Sequence, residues 1–206
     1  REYLKNQGTT ISHDKMNPTI RSKIIFDIAA KMKRIHKKKV VHRDLKLENI
    51  FLDDKNEPKI ADFGLSKCIL EGTQMTMRIG SPFYMAPELF ISTDNNYSFP
   101  VDVYAYAFII YKMFSNTVEF KNGEKITTIN QWICKICRNE RPIRPISIPD
   151  CYWDLIQKCW KQDPKERLTF DEITEILKDD KYAINEFGMQ TNLDELHEYQ
   201  NRIDQD

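Results

Sequence analysis

His42-Arg43-Asp44-Leu45-Lys46-Leu47-Glu48-Asn49 lies between two short apolar runs, Val40-Val41 and Ile50-Phe51-Leu52. A carboxylate, a cation and an amide therefore share one short loop. Asp62-Phe63-Gly64 follows further along the chain, and Ala86-Pro87-Glu88 after that. Taken singly, these residues are ordinary, because Asp and Asn favour loops and Lys faces solvent. Their order and spacing carry more. Asp44 can accept the proton of a hydroxyl, and Lys46 can point the same way to neutralise a transferred phosphoryl group. Asn49 and Asp62 supply the oxygen ligands that hard Mg²⁺ prefers. Gly64 is expected to let the backbone turn sharply behind the metal ligand.

Upstream of this loop, Asn17-Pro18 has the chemistry of a helix start, an N-cap followed by a proline in the first turn. Ile20, Ile24, Ile28, Met32 and Ile35 then recur at helical spacing and predict one apolar face through about His36. The basic residues between Lys31 and Lys46 read as a solvated face. Val40-Val41, Ile50-Phe51-Leu52 and Lys59-Ile60-Ala61 read as short strands, with turn composition over residues 53–57. The chemical residues thus sit on loops at the ends of strands.

Beyond Glu88, helices are expected near residues 101–115, 128–138, 151–161 and 169–178, with proline-rich joints at 141–149 and Asp163-Pro164. The run from Tyr104 to Tyr111 behind Val101-Asp102-Val103 predicts a helix buried on all sides, and it is too short to cross a bilayer. From Lys181 the chain is weakly apolar and acidic, with Glu186, Asp194, Glu195, Glu198, Asp204 and Asp206 against Lys181 and Arg202. It is expected to be a mobile extension or a linker. The expected architecture is mostly α, with a small β element at the end that carries the loops.

The 206 residues hold 31 Lys+Arg and 31 Asp+Glu. That balance supports neither nucleic-acid binding nor a polybasic membrane anchor. The 5 cysteines are an odd number, and no apolar leader suggests secretion. Cys134-x-x-Cys137 lacks the two further ligands a zinc site needs, since Cys151 and Cys159 have neither a close spacing nor a nearby histidine. The cysteines read as small core residues, reduced and cytoplasmic. A chain beginning at Arg1 suggests a piece of something longer.

The strings quoted above resemble the signature of the eukaryotic protein kinase catalytic domain. Over residues 1–180 the chain is similar to the C-terminal lobe of that α+β fold, a helical bundle with a small β element at the catalytic loop. The catalytic loop would be 42–49, the activation segment 62–88, and 181–206 an acidic extension. The glycine-rich strands and the lysine strand of the N-terminal β lobe are not in this stretch. Arg1-Glu2-Tyr3-Leu4 resembles the helix just past the hinge, so this piece is expected to bind ATP weakly without the missing lobe.

The resemblance implies Mg²⁺ and ATP as cofactors and a protein as substrate, with no nucleic acid and no membrane among the partners. Asp44, Lys46, Asn49 and Asp62 would be catalytic. Lys46, Asn49, Phe51 and Asp62 would contact the nucleotide and metal, Phe51 as the floor under adenine. Arg43 resembles the arginine that pairs with a phosphorylated activation segment, with Lys67 as a second cation. Thr76, with Thr73 behind it, would be the phosphate acceptor, although both threonines read equally as plain loop residues. Gly80 and Ser81 would lie in the substrate loop. Glu88 and Arg167 would form a buried pair, Asp102 would hold the catalytic loop, and His42 and Phe63 would join an apolar stack.

Lys46 and Gly80-Ser81-Pro82 resemble the serine/threonine pattern. Cys159-Trp160, Asp163-Pro164 and Arg167-Leu168-Thr169-Phe170 are shared by tyrosine kinases and the tyrosine-kinase-like group. Together they imply a Ser/Thr kinase of the latter group. A tyrosine or dual-specificity kinase, and a non-catalytic scaffold on the same fold, are the alternatives.

Overall fold

Asn17 opens the first helix: its side chain accepts a hydrogen bond from the Thr19 N–H at 2.8 Å, and Pro18 occupies the first turn. In the computed structural model, which describes residues 17–68, 81–91, 98–115, 117–124, 126–186 and 188–205, this helix, α1, spans Pro18–Lys37. Its Ile24, Ile25, Ile28 and Met32 are buried. Lys39 takes a left-handed conformation, φ 59°, and turns the chain into β1, Val40–Val41. The strand β1 pairs antiparallel with β4, Lys67–Cys68, which no sequence pattern announced.

Between them, β2 (Ile50–Leu52) and β3 (Pro58–Ile60) form an antiparallel hairpin in which Ile50 faces Ile60 and Leu52 faces Pro58. Its turn is closed by the Asp53 carboxylate, which accepts from the N–H groups of Lys55 and Glu57 at 2.9 Å each. Those hydrogen bonds hold the Asp53 carboxyl down at a pKa of about 2, the Glu57 amide first and the Lys59 ammonium next.

The remaining helices form the base under these loops. They are α2 (Glu88–Ile91), α3 (Pro100–Phe114), α4 (Ile129–Cys137), α5 (Asp150–Cys159), α6 (Phe170–Ile176) and α7 (Leu193–Gln205). Capping boxes start α4 at Thr128 with Gln131 and α6 at Thr169 with Glu172. The apolar run of α3 is buried on nearly every side, as its composition requires, and packs along α5. Trp132 of α4 joins this core, meeting Phe108 at 5.3 Å and Phe120 at 5.8 Å between ring centroids.

Two sequence readings need correction. The segment from Lys181 is not a mobile extension in its described part. Ile184 N–H donates to Ser22 Oγ at 3.0 Å, Glu186 pairs with the buried Arg21 at 2.7 Å, and Asn192 N–H donates to Thr19 Oγ1 at 2.9 Å. The helix α7 then lies along α1 with Leu196, Tyr199, Gln200 and Ile203 buried. Those four positions share one face at helical spacing, while Asp194, Glu195, Glu198 and Asp204 sit off it. Net acidity hid the stripe.

The second correction concerns the cysteines: Cys159 is core and Cys137 and Cys151 are half-buried, but Cys134 is exposed on α4. Among the described residues no three His, Cys, Asp or Glu side chains gather as a metal site. No helix among them is long and apolar enough to cross a membrane.

Candidate active site

Asp102, near the start of α3 and almost wholly buried, receives three donors. Its Oδ2 accepts from the His42 N–H at 2.8 Å and from His36 Nε2 at 2.9 Å, and its Oδ1 accepts from the Arg43 N–H at 2.9 Å. Burying a carboxylate costs least when its oxygens are so occupied. The backbone at His42 and Arg43 is thereby clamped to the base. Arg43 accommodates this with a left-handed backbone, φ 72°, which a non-glycine residue adopts only when its surroundings enforce it.

His42 is fully buried and continues the clamp sideways. Its Nε2 donates to the Ala61 carbonyl at 3.2 Å, and its Nδ1 accepts from the Asp44 N–H at 3.3 Å. Only the neutral ring protonated at Nε2 can do both. Burial lowers the His42 pKa against the pull of nearby carboxylates, so the ring stays neutral at neutral pH. Phe63 lies over it at 4.8 Å, in agreement with the expected stack.

This scaffold presents Asp44, which is 6% exposed. Its Oδ1 accepts from the Ser81 N–H at 3.0 Å and from Ser81 Oγ at 3.2 Å. Its Oδ2 faces Lys46 Nζ at 2.5 Å and Asn49 Nδ2 at 3.1 Å. Lys46 Nζ also donates to Ser81 Oγ at 2.8 Å, and Asn49 Nδ2 to the Asp44 carbonyl at 2.8 Å. Four of the residues singled out in the sequence thus form one closed network. With its amide nitrogen spent on Asp44, Asn49 has its carbonyl oxygen as the group that can meet a cation.

Asp62 is exposed and adopts a left-handed conformation, φ 64° and ψ 64°. Among the described residues its carboxylate accepts one long hydrogen bond, from the Gly64 N–H at 3.4 Å. The role expected of Gly64 needs revision: the left-handed residue is Asp62 itself. A Cβ on Gly64 would stand 3.2 Å from Asp62 Oδ1, so the glycine keeps room around the carboxylate. Phe51 is half-buried on β2, facing Lys59 across the hairpin.

Glu88 and Arg167 meet as a bidentate pair, Nη1 to Oε1 at 2.7 Å and Nη2 to Oε2 at 2.8 Å. Arg167 Nε also donates to the Lys161 carbonyl at 2.8 Å, and its guanidinium stacks on Tyr104 at 5.0 Å. Lys67 belongs to β4 by its backbone, but its side chain lies outside the described residues, as do Thr73, Thr76 and Gly80.

Sequence reasoning missed His36, the third donor to Asp102, and Ser66, whose Oγ donates to the His42 carbonyl at 3.2 Å. It also missed Tyr84, whose hydroxyl accepts from the Leu47 N–H at 3.4 Å. Burial, with Glu48 nearby, pushes the Tyr84 phenol far above its ordinary range. None of the three carries a signal in the linear chain, because each acts across 24 or more residues.

Residues 2–180 match the family model described as the protein kinase domain. A probable serine/threonine-protein kinase of Dictyostelium discoideum is 36% identical over 165 residues, 80% of this chain and 18% of that protein. A probable LIM domain-containing serine/threonine-protein kinase of the same organism is 36% identical over 157 residues, 75% of this chain and 23% of its own. An RGS domain-containing serine/threonine-protein kinase, also from Dictyostelium discoideum, is 33% identical over 176 residues, 85% of this chain and 15% of its own. The chain spans under a quarter of the length of these relatives.

Proposed function

The chain belongs to the protein kinase domain family, and from that premise we propose that it carries the C-terminal catalytic half of an ATP-dependent Ser/Thr protein kinase of the tyrosine-kinase-like group. The observation that carries the reading is the network in which Lys46, Asn49 and Ser81 converge on the Asp44 carboxylate. An aliphatic hydroxyl, Ser81 Oγ, already stands at hydrogen-bond distance from Asp44 Oδ1, and a substrate serine or threonine would offer the same group there.

In this reading Asp44 orients the attacking hydroxyl and takes its proton. Lys46 sits beside the same oxygens and stabilises charge gathering on the transferred phosphoryl. Asn49 and Asp62 would hold Mg²⁺, and their chemistry fits: an amide oxygen whose nitrogen is otherwise engaged, and an exposed carboxylate with one long hydrogen bond. When bound, the ion neutralises phosphate charge. Phe51 would lie under the adenine ring. Arg43, beside Asp44, would answer a phosphate on Thr76 or Thr73.

Thermal unfolding of the chain with and without Mg²⁺ and ATP tests the reading. A ligand that binds only the folded state raises its stability. A Mg²⁺-dependent rise that disappears in Asp62→Ala is expected, and no rise in the parent chain would defeat the nucleotide assignment. Phosphoamino-acid analysis of a protein labelled by the active kinase should return phosphoserine or phosphothreonine. Phosphotyrosine alone would overturn the hydroxyl assignment.

A further inference from the structure

We infer that α7 and the buried Asp27 beneath it are positioning elements of the candidate active site, fixing the β2–β3 hairpin whose two ends lead to Asn49 and Asp62. The inference rests on the proposed function for its catalytic meaning and on the following geometry for its mechanical one.

A two-stranded hairpin is marginal by itself in water, so its placement comes from what grips it. Here the strands are three residues each and run from Asn49 into the turn and back to Ala61. At the loop end, the Ala61 N–H donates to the Asn49 carbonyl at 2.9 Å. At the turn end, the grip comes from α1 and α7. Lys31 Nζ donates to the Pro58 carbonyl at 2.7 Å, and Arg202 Nη2 to Glu57 Oε1 at 2.5 Å. Lys31 is in turn held by Asp27, and Asp27 Oδ2 also accepts from the Tyr199 hydroxyl at 2.6 Å. Arg34 Nη2 donates to the Ile203 carbonyl at 2.6 Å, tying the last turns of α7 to α1.

Asp27 is the informative member. It is 0% exposed, and its Oδ1 has no hydrogen-bond partner among the described residues. A half-satisfied buried carboxylate is a poor way to stabilise a helix interface, where an apolar residue would pack at less cost. What it does accomplish is to aim the Lys31 ammonium at the hairpin while Tyr199 covers it. The Tyr199 ring is itself flanked by Lys23 at 5.1 Å and by Arg202 at 4.9 Å. The family match ends at residue 180, so the α7 half of this grip, Tyr199 and Arg202, lies beyond it.

Hydrogen–deuterium exchange on the whole 206-residue chain tests the inference, read alongside Mg²⁺–ATP binding. Tyr199→Phe should raise exchange over residues 49–61 about tenfold, the size of one charge-assisted hydrogen bond, while α3 and α5 keep the parent rates. Arg202→Ala should do the same more weakly, and Arg202→Lys should restore the parent pattern. Asp194→Asn, at an exposed carboxylate off the buried stripe of α7, should leave the hairpin unchanged. In a parent chain that binds Mg²⁺–ATP, Kd should rise in the same rank order.

Exchange that rises in α7 while residues 49–61 stay as in the parent would overturn the inference. So would exchange that rises equally in the hairpin, α3 and α5, because that is loss of general stability. If Tyr199→Phe does not fold, the exposed Arg202 variants decide alone. A parent chain that binds no nucleotide would defeat the proposed function, yet the hairpin exchange would still read the grip.

Discussion

The two carboxylates of the candidate site, Asp44 and Asp62, stand in opposite physical settings. Asp44 is nearly buried, accepts from four donor atoms, and rests on a loop clamped by Asp102. Asp62 is exposed, on a left-handed residue, with one long hydrogen bond. The proposed roles, a base at Asp44 and a metal ligand at Asp62, would account for the difference. A base has to be aimed before its substrate arrives, and fixed donors in a water-poor site do that without reorganisation. A metal ligand needs lone pairs that are free until the ion comes, and internal donors would compete for them.

If the contrast holds, substitutions in the two regions should differ in kind. Asp44→Asn should lower phosphoryl transfer by the active kinase about 10³-fold, the size expected for loss of a general base. A steady-state rate within a few-fold of the parent would remove Asp44 from the chemistry. Asp102→Ala should come next, costing about 3 kcal/mol of unfolding free energy in urea titration, because it leaves several buried donors without their acceptor.

The pH arm is smaller. His42 has a depressed pKa in the fold, so above the unfolded value near 6.5 its neutral form contributes fully. Below that value the unfolded chain takes up the proton first, and stability falls as pH falls toward the folded pKa. The parent should lose up to about 1.4 kcal/mol per pH unit more than His42→Gln across that window. Parallel curves for the two proteins would mean the ring does not resist protonation. Asp62→Ala should have the least effect on the fold, under about 0.5 kcal/mol by urea titration, while abolishing the Mg²⁺ response. A large stability loss there would erase the distinction between the two carboxylates.

Legibility in the sequence followed the range of the interactions. The N-cap at Asn17, the capping boxes at Thr128 and Thr169, and the buried run of α3 use neighbours within a few residues, and their helices match the expected positions to within one or two residues at most ends. The strand β4 did not show, because two residues have no period and owe their form to β1, 26 residues upstream at Val41–Lys67. The helix α7 did show a stripe, Leu196, Tyr199, Gln200 and Ile203, but one with a polar member and a polar-tipped one, set in an acidic segment that masks it.

By itself, the sequence determined the chemistry on offer: which loop holds a carboxylate, a cation and an amide, and which oxygens suit a hard cation. It also determined the helical base, since capping and apolar periodicity are local. Only the tertiary structure decided that Ser81 closes on Asp44, that His36 shares Asp102 with His42 and Arg43, that Gly64 spares room for Asp62, and that α7 reaches Glu57. These contacts join residues far apart along the chain, and no local propensity encodes them. They exist because burying the apolar faces of α1, α3 and α7 brings the polar groups within hydrogen-bond reach, where leaving any one unpaired would be costly.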